Sequence, residues 1–229
     1  AFVAEVANNL IQRQAVESDG VTFKVSVADQ GPEFIASTDT WFRPVNFVNA
    51  PDGTLHVVDM YRETIEHPWS IPDDIHAKLD LESGRDRGRI YRLTPPGFRA
   101  PKPPRLGSAS TAELVAALAN PNGWWRDTAQ RLLVERQDTA AAPALRALLN
   151  GSPLELARLH ALWTLEGLGQ LRGEDLLRAL GDRAPGVREH AVRLAATRMA
   201  AEPSLRGAVL ALVGARQHRR QAGSSAPTT

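Results

Sequence analysis

The sequence predicts a two-part fold, in which a β-structured first part is followed by an all-helical second part. Up to residue 94, short apolar runs alternate with Gly- and Pro-containing turns, as antiparallel strands do. From residue 107 onward, apolar residues recur at helical spacing. Between them, the prolines of 95–106 fix φ and remove hydrogen-bond donors, which predicts a stiff linker. We therefore expect a β domain over 1–94, this linker, a helical domain over 107–215 and a disordered tail over 216–229.

The strands of the first part are expected to form two hairpins. The first has strand runs at 9–16 and 21–27, joined by the turn pair Asp19-Gly20. The second has strand runs at 44–48 and 55–59 around 50–53, where a proline presets φ and a glycine accepts a positive φ. A further strand is expected at 88–93. Short antiparallel strands at this spacing predict the closing part of a β-propeller, about one and a half blades, with a β-sandwich as the alternative.

The helical part contains an internal repeat. Ser110 and Glu113 form a capping-box pattern before the first apolar run. An Arg-x-x-Ala pattern then recurs at intervals of 32 and 30 residues, as Arg126/Ala129, Arg158/Ala161 and Arg188/Ala191. A period near 30 residues is typical of stacked helix pairs. The pattern of 180–195 is similar to the HEAT repeat, so we expect an α-solenoid of HEAT-like repeats.

Composition excludes several classes of protein. A hydrophobic fraction of 43% and a formal net charge of +1 indicate an ordinary globular chain with no membrane-spanning run. The absence of cysteine excludes disulfides, Cys-ligated zinc, iron–sulfur clusters and covalent haem. The arginines of the second part recur at helical positions instead of clustering, so no nucleic-acid partner is expected. Since the chain opens at Ala1 without Met or a signal-peptide pattern, its true N-terminus is expected to lie upstream.

Ionisable residues are expected to converge at the open end of the second hairpin. In an antiparallel pair, the start of one strand lies beside the end of the other, which brings Arg43 near Asp59. These two are either a structural ion pair or ligand contacts. The insertion 63–87 leaves and re-enters at the same edge, and loops on a rigid β scaffold often carry functional groups. No nucleophile elbow, phosphate loop or dinucleotide fingerprint is present.

Other candidate residues have a structural alternative. His67 is better explained as a packed loop histidine than as a base or metal ligand, because no second ligand stands at a metal-motif spacing. The segment 83–88 suits an anionic group or a salt-bridged turn equally well. Trp124, Trp125 and Trp163 are expected to pack in the core or between repeats.

Four motifs carry a resemblance to a known family. They are Asp39-Thr40-Trp41-Phe42-Arg43-Pro44-Val45, residues 51–62 (PDGTLHVVDMYR), Ile65-Glu66-His67-Pro68 and residues 83–92 (SGRDRGRIYR). Together they resemble the membrane-bound dehydrogenases with a PVC-type haem-binding domain, whose propeller is similar to PQQ-dependent sugar and sorbosone dehydrogenases. The order of a propeller followed by HEAT repeats extends this resemblance to about residue 213.

The resemblance implies a periplasmic or secreted protein that oxidises a sugar or alcohol with PQQ and Ca²⁺ and passes electrons to a cytochrome c domain. This chain lacks the upstream blades and a Cys-x-x-Cys-His motif, so it is expected to be an inactive fragment that binds no covalent haem. The carried-over rim positions of a cofactor or substrate site are Arg43, Asp59, Tyr61, Arg62, Glu66, His67, Asp86 and Arg87. No catalytic residue and no metal ligand is assigned. The alternative is a non-enzymatic propeller–HEAT scaffold that binds carbohydrate or protein, with a partner on the helical surface.

Overall fold

A computed structural model describes residues 1–20 and 22–223 of the chain, with side-chain environments up to residue 213. The chain divides into two compact units, Ala1–Lys102 and Pro103–Thr229. The described residues of the first unit form these strands and a short α-helix: β1 (Phe2–Glu5), β2 (Leu10–Asp19), β3 (Thr22–Val27), β4 (Ile35–Ala36), β5 (Pro44–Asn49), β6 (Leu55–Asp59), α1 (Asp73–His76) and β7 (Arg89–Leu93).

The long strand β2 organises the first sheet. Its first half pairs antiparallel with β1 and with β4, and its second half pairs with β3. Gly20 adopts a φ of 65° in the turn between β2 and β3, a conformation that glycine takes without steric cost. The first predicted hairpin is therefore confirmed.

The β2–β3 hairpin has one apolar and one polar face. Phe23, Val25 and Val27 lie on one face of β3, and Val16 of β2 stands opposite Val25. These four side chains are 47 to 66% exposed. The other face pairs Glu17 with Lys24. The apolar face of this ribbon is thus uncovered by the described part of the chain.

The second sheet has the order β5-β6-β7. Its hairpin turns at Gly53, where φ is 84°, so the second predicted hairpin is also confirmed, as is the strand at 89–93. The core of the unit is small: Ile11, Phe42 and Val57 are its fully buried cluster.

The predicted β-propeller is wrong. The strands form one four-stranded and one three-stranded antiparallel sheet, and in the described residues neither sheet closes. Turn residues and apolar alternation specify which neighbouring strands form a hairpin, and that part was correct. Closure of a propeller depends on pairing between strands far apart in sequence, which local patterns do not encode.

Up to residue 223, the second unit is built from the α-helices α2 (Thr111–Ala117), α3 (Gly123–Glu135), α4 (Ala142–Gly151), α5 (Glu155–Gly167), α6 (Gly173–Leu180), α7 (Pro185–Ala196) and α8 (Pro203–Gly223). Ser110 and Glu113 form the predicted capping box at the start of α2. Leucine and alanine side chains from these helices form one continuous core. In the described part of the chain, no helix has the length and apolar character needed to cross a membrane.

The recurring arginine reaches back to the turn that precedes its own helix. Arg126 Nη1 donates to the carbonyl of Asn120 at 2.7 Å, Arg158 Nη1 to Ser152 at 2.8 Å, and Arg188 Nη1 to Asp182 at 2.7 Å. The alanine three residues later is fully buried in each case. The arginine of the repeat therefore stabilises the start of α3, α5 and α7, and the small alanine lets each helix approach its neighbours closely.

Arg158 also joins two of these turns. Its Nε and Nη2 donate to the Asp182 carboxylate at 2.7 and 2.8 Å, and Arg158 is only 4% exposed. Asp182 in turn accepts from the Ala184 backbone N–H just before α7. The hydrogen-bonded guanidinium holds the pKa of Asp182 below its ordinary value.

The predicted HEAT solenoid is not supported, and the fold is a mixture of small sheets and helices. The Arg-x-x-Ala repeat has a local explanation in the arginine contacts and the buried alanines. A sequence period of this kind predicts contacting helices, but it does not by itself establish a superhelical stack. The disordered tail expected from residue 216 also differs, since α8 extends to Gly223. Residues 224–229 of that tail lie outside the described residues.

A close approach between α3 and α5 gives a test of this packing. A Cβ on Gly167 would lie 2.7 Å from Val134 Cγ2, whereas a Cβ on Gly186 would meet nothing within 4 Å. Val134 is β-branched and cannot easily rotate away. We expect Gly167→Ala to destabilise the helical unit by about 1–3 kcal/mol through overpacking. Gly186→Ala is the matched control, and urea unfolding of both variants should separate them; equal stabilities would contradict the close packing.

Candidate functional site

Asp59 ties the open end of the β5–β6 hairpin together. Its Oδ1 accepts the backbone N–H groups of Arg43 and Tyr61, each at 2.8 Å. The Asp59 side chain has 0% exposure. A carboxylate that accepts hydrogen bonds from two backbone N–H groups stabilises the local backbone conformation strongly, because both bonds are charge-assisted. This role is structural.

The Arg43 guanidinium binds main-chain carbonyls. It donates to Arg62 at 3.0 Å, to Glu63 at 2.8 Å, and to Val6 and Ala7 at 3.0 and 3.2 Å. The side-chain ion pair between Arg43 and Asp59 that the sequence suggested is therefore not formed. Arg43 instead fastens the loop after β6 to the segment after β1.

The cation beside Asp59 is Arg89, which sequence reasoning missed. Arg89 Nε lies 3.9 Å from Asp59 Oδ2, and its guanidinium stacks 3.7 Å from the centre of the Tyr61 ring. The Tyr61 hydroxyl donates to Asp39 Oδ2 at 2.9 Å. The pKa of Asp39 is lowered mainly by the hydrogen bond from the Trp41 backbone N–H and secondly by the hydrogen bond from the Tyr61 hydroxyl. The hydrogen bond between Tyr61 and Asp39 also raises the pKa of Tyr61. Cross-strand pairing of β6 with β7 is the signal that would have placed Arg89 there.

Of the remaining predicted residues, Arg62 and Arg87 reach this cluster only through the main chain: the carbonyl of Arg87 accepts from Arg89 Nε at 3.1 Å, and that of Arg62 accepts from Arg43 Nε at 3.0 Å. Glu66 accepts from the neighbouring Ile65 N–H at 3.3 Å. His67 Nδ1 accepts from the Trp69 N–H at 3.3 Å and so caps the short turn 68–70. Asp86 and Arg87 are both exposed and lie 4.0 Å apart. The loop therefore supplies local turns and not a convergent set of ligands.

The side chains that the resemblance assigns to PQQ and Ca²⁺ are largely bonded to the main chain. The donors of Arg43 are taken by carbonyls, and one oxygen of Asp59 is taken by N–H groups. Two buried polar atoms here, Asp59 Oδ2 and Arg62 Nη1, have no hydrogen-bond partner among the described residues. Among the described residues, no three His, Cys, Asp or Glu side chains are grouped as metal ligands would be.

A groove on the helical unit is the better candidate site. It crosses α3, α5 and α7 and has a volume of about 610 Å³. Its lining combines aromatic, apolar and ionisable side chains: Asp127, Gln130, Arg131, Val134, Glu135, Leu159, His160, Trp163, Glu166, Gly167 and His190. A concave surface with a few convergent polar groups is the usual form of a binding site.

His160 presents an acceptor to the groove. Its Nδ1 lies 2.7 Å from Gln130 Oε1, and because an amide oxygen only accepts, the proton belongs on Nδ1. Burial lowers the pKa of His160 and outweighs the opposing effect of Asp127, so the ring is neutral at pH 7. The other nitrogen, Nε2, then carries a lone pair to which no described residue donates. It lies 3.9 Å from Asp127 Oδ1.

His190 presents a donor. Trp163 Nε1 donates to His190 Nδ1 at 3.1 Å, and the two rings meet edge to face. Since Nδ1 accepts, neutral His190 carries its proton on Nε2. In the described part of the chain Nε2 has no hydrogen-bond partner. The two histidines therefore have opposite tautomers on either side of Trp163.

Sequence reasoning missed this groove. Trp163 was expected to pack in the core or between repeats, and it does pack against the core while it also lines the groove. Gln130, His160 and His190 stand 30 residues apart, so the repeat spacing itself would have aligned them. That signal was read only for the arginines and alanines.

The role of Asp59 is testable by paired substitutions. We expect Asp59→Ala to leave two N–H groups unpaired and to weaken the β5–β6 region by about 2 kcal/mol, whereas Asp59→Asn keeps an acceptor and loses less. Amide hydrogen exchange in β5 and β6 measures this. Asp74→Ala, on the exposed face of α1, is the control. Equal protection in all three variants would show that Asp59 does not fasten the hairpin.

The lowered pKa of His160 predicts a pH dependence. Below about pH 6.5 the unfolded chain binds a proton at this residue more readily than the folded chain does. The contribution of neutral His160 to stability is therefore present above that pH and is lost as the pH falls below it. Urea unfolding at pH 7.5 and 5.5 should show a smaller pH effect in His160→Gln than in the unmodified chain. The same pH effect in both proteins would refute the assignment.

Comparison with protein families gives a match over the first part of the chain. Residues 1–97 match the family model of a domain of unknown function, DUF7133. The match covers most of the first unit, and the groove lies outside it. Neither the search of curated proteins nor the search of solved structures found a match.

Proposed function

We propose that this chain is a non-catalytic interaction module whose helical unit binds a polypeptide segment in the α3–α5–α7 groove. The observation that supports this proposal is the pair of opposite tautomers around Trp163. His160 Nε2 offers an acceptor and His190 Nε2 offers a donor. A peptide group carries one N–H and one C=O, so both nitrogens find a partner on an extended main chain.

Trp163 supplies the apolar part of the site. Its Nε1 is occupied by His190, so its ring is held in place and presents a flat surface to the groove. Buried tryptophans at protein interfaces carry a large share of the binding energy. Val134 and Leu159 extend the apolar wall. The site thus combines an aromatic anchor with main-chain hydrogen bonds.

The dehydrogenase function has less support. It would need Arg43 and Asp59 for an anionic cofactor or a sugar, but these side chains bind the main chain. Catalysis would also need groups that contact the reacting atoms, and none is assigned in the described residues. The periplasmic location, the sugar or alcohol substrate and the cytochrome partner stay predictions from the resemblance.

The proposal is tested with a displayed library of random twelve-residue peptides and the full chain as bait. We expect enriched peptides that bind about 30-fold more weakly to Trp163→Ala, since an anchor residue contributes about 2 kcal/mol or more. His190→Ala is a second variant that removes the donor with a smaller change in packing. Leu156→Ala, an exposed change on α5 outside the groove lining, is the matched control and should bind normally.

Three outcomes contradict the proposal. The library yields no enriched peptide, or the enriched peptides bind Trp163→Ala and His190→Ala as well as the unmodified chain. In the third, a glycan array gives binding that depends on Trp163 while no peptide is enriched. That last result would replace the polypeptide by a carbohydrate.

A further inference from the structure

The charges of the groove are distributed unevenly between its two ends. At the α3 end, Asp127 has a side chain that is 76% exposed, and its ion-pair partner is His160 at 3.9 Å. His160 is neutral at pH 7, so the Asp127 charge is not compensated. The other carboxylates of the groove are compensated: Glu135 pairs with Arg131 at 3.0 Å, and Glu166 pairs with Arg198.

A positive charge lies beside the groove, outside its lining. Arg193 is exposed on α7, and its guanidinium stands 5.9 Å from the centre of the Trp163 ring, which does line the groove. Within the described ranges, no carboxylate lies within ion-pair distance of Arg193. An uncompensated acid, Asp127, therefore lines the groove, and an uncompensated base, Arg193, lies next to its tryptophan, Trp163.

We propose that the groove selects a polypeptide segment with a basic side chain beside Asp127, an apolar side chain on Trp163 and an acidic side chain beside Arg193. This inference rests on the proposed function, because it specifies the ligand of the same groove. The order of charges follows from the contacts of α5: α3, which carries Asp127, and α7, which carries Arg193, each pack against the helix of Trp163.

The contacts of Asp127 and Arg193 with α5 set an upper limit on the distance between the two charges of the ligand. Asp127 lies 3.9 Å from His160 and Arg193 lies 5.9 Å from the Trp163 ring. Residues three apart on a helix are neighbours about 5–6 Å apart, so the two charges are separated by at most roughly 16 Å. An extended chain rises about 3.3 Å per residue. The basic and acidic side chains should therefore be at most about five residues apart, with the apolar side chain between them.

The test uses four fluorescein-labelled peptides of nine residues. All carry Leu at position 4 in an otherwise Gly/Ala sequence, and positions 2 and 7 carry Lys and Glu, Lys and Lys, Glu and Glu, or Gln and Gln. We expect the Lys/Glu peptide to bind the full chain most tightly, with about a two- to fivefold gain per charge at moderate salt. Fluorescence anisotropy gives the four dissociation constants.

Charge-reversal variants make the assignment specific. Asp127→Lys should move the preference to the Glu/Glu peptide, and Arg193→Glu should move it to the Lys/Lys peptide. These switches are gains of binding, which a damaged fold would not produce. Circular dichroism checks that both variants are folded. Unchanged preferences in either variant would overturn the assignment of that end.

The outcomes separate this inference from the proposed function. Equal binding of all four peptides would overturn the charge selection while leaving a peptide-binding groove. A second result would also overturn the charge selection alone: none of the four peptides binds, while library-selected peptides bind the unmodified chain and not Trp163→Ala. Failure of both sets of peptides would overturn the inference together with the proposed function.

Discussion

The buried Arg158–Asp182 contact is the interaction on which the helical unit most depends. The Arg158 guanidinium binds the carbonyl before α5 and the carboxylate before α7. The starts of α5 and α7 are therefore held in position by the same side chain. Arg126 and Arg188 repeat the first half of this contact at α3 and α7. Because the groove side chains follow these arginines by a few residues, their alignment is a consequence of how the helices begin. Removal of either partner would leave the other charge buried and unpaired, which is costly in most proteins.

The two units use their polar groups in different ways. In the first unit, Asp59 and Arg43 are occupied by main-chain N–H and C=O groups, so they maintain loop positions and leave little capacity for a ligand. In the second unit, His160 and His190 each use one ring nitrogen in a hydrogen bond to a neighbouring side chain, and the other ring nitrogen stays available. A surface with organised but incomplete hydrogen bonding is suited to recognition. Fully paired clusters are suited to support.

Local chemistry was predictable from the sequence, and long-range arrangement was not. Asp19-Gly20 and Gly53 specified two hairpins correctly, because turn conformations depend on a few adjacent residues. The convergence of Arg43 and Asp59 was also correct as a location, but the partners were wrong, since the sequence does not show whether an arginine will find a carboxylate or a carbonyl. The groove was not predicted because its lining residues come from three helices. The donor and acceptor roles of its histidines are set by neighbouring side chains such as Gln130 and Trp163, which the sequence does not place beside them.

The uncovered ribbon of β2 and β3 has a consequence for how the molecule behaves in solution. Phe23, Val25 and Val27 alternate along an open strand with Lys24 as its single charged residue, a pattern that invites edge-to-edge pairing with other chains. We therefore expect association between copies of the chain to begin at this short ribbon. Lys24 is expected to oppose such pairing, because a charge in the middle of an apolar strand repels the same charge when identical copies stack in register.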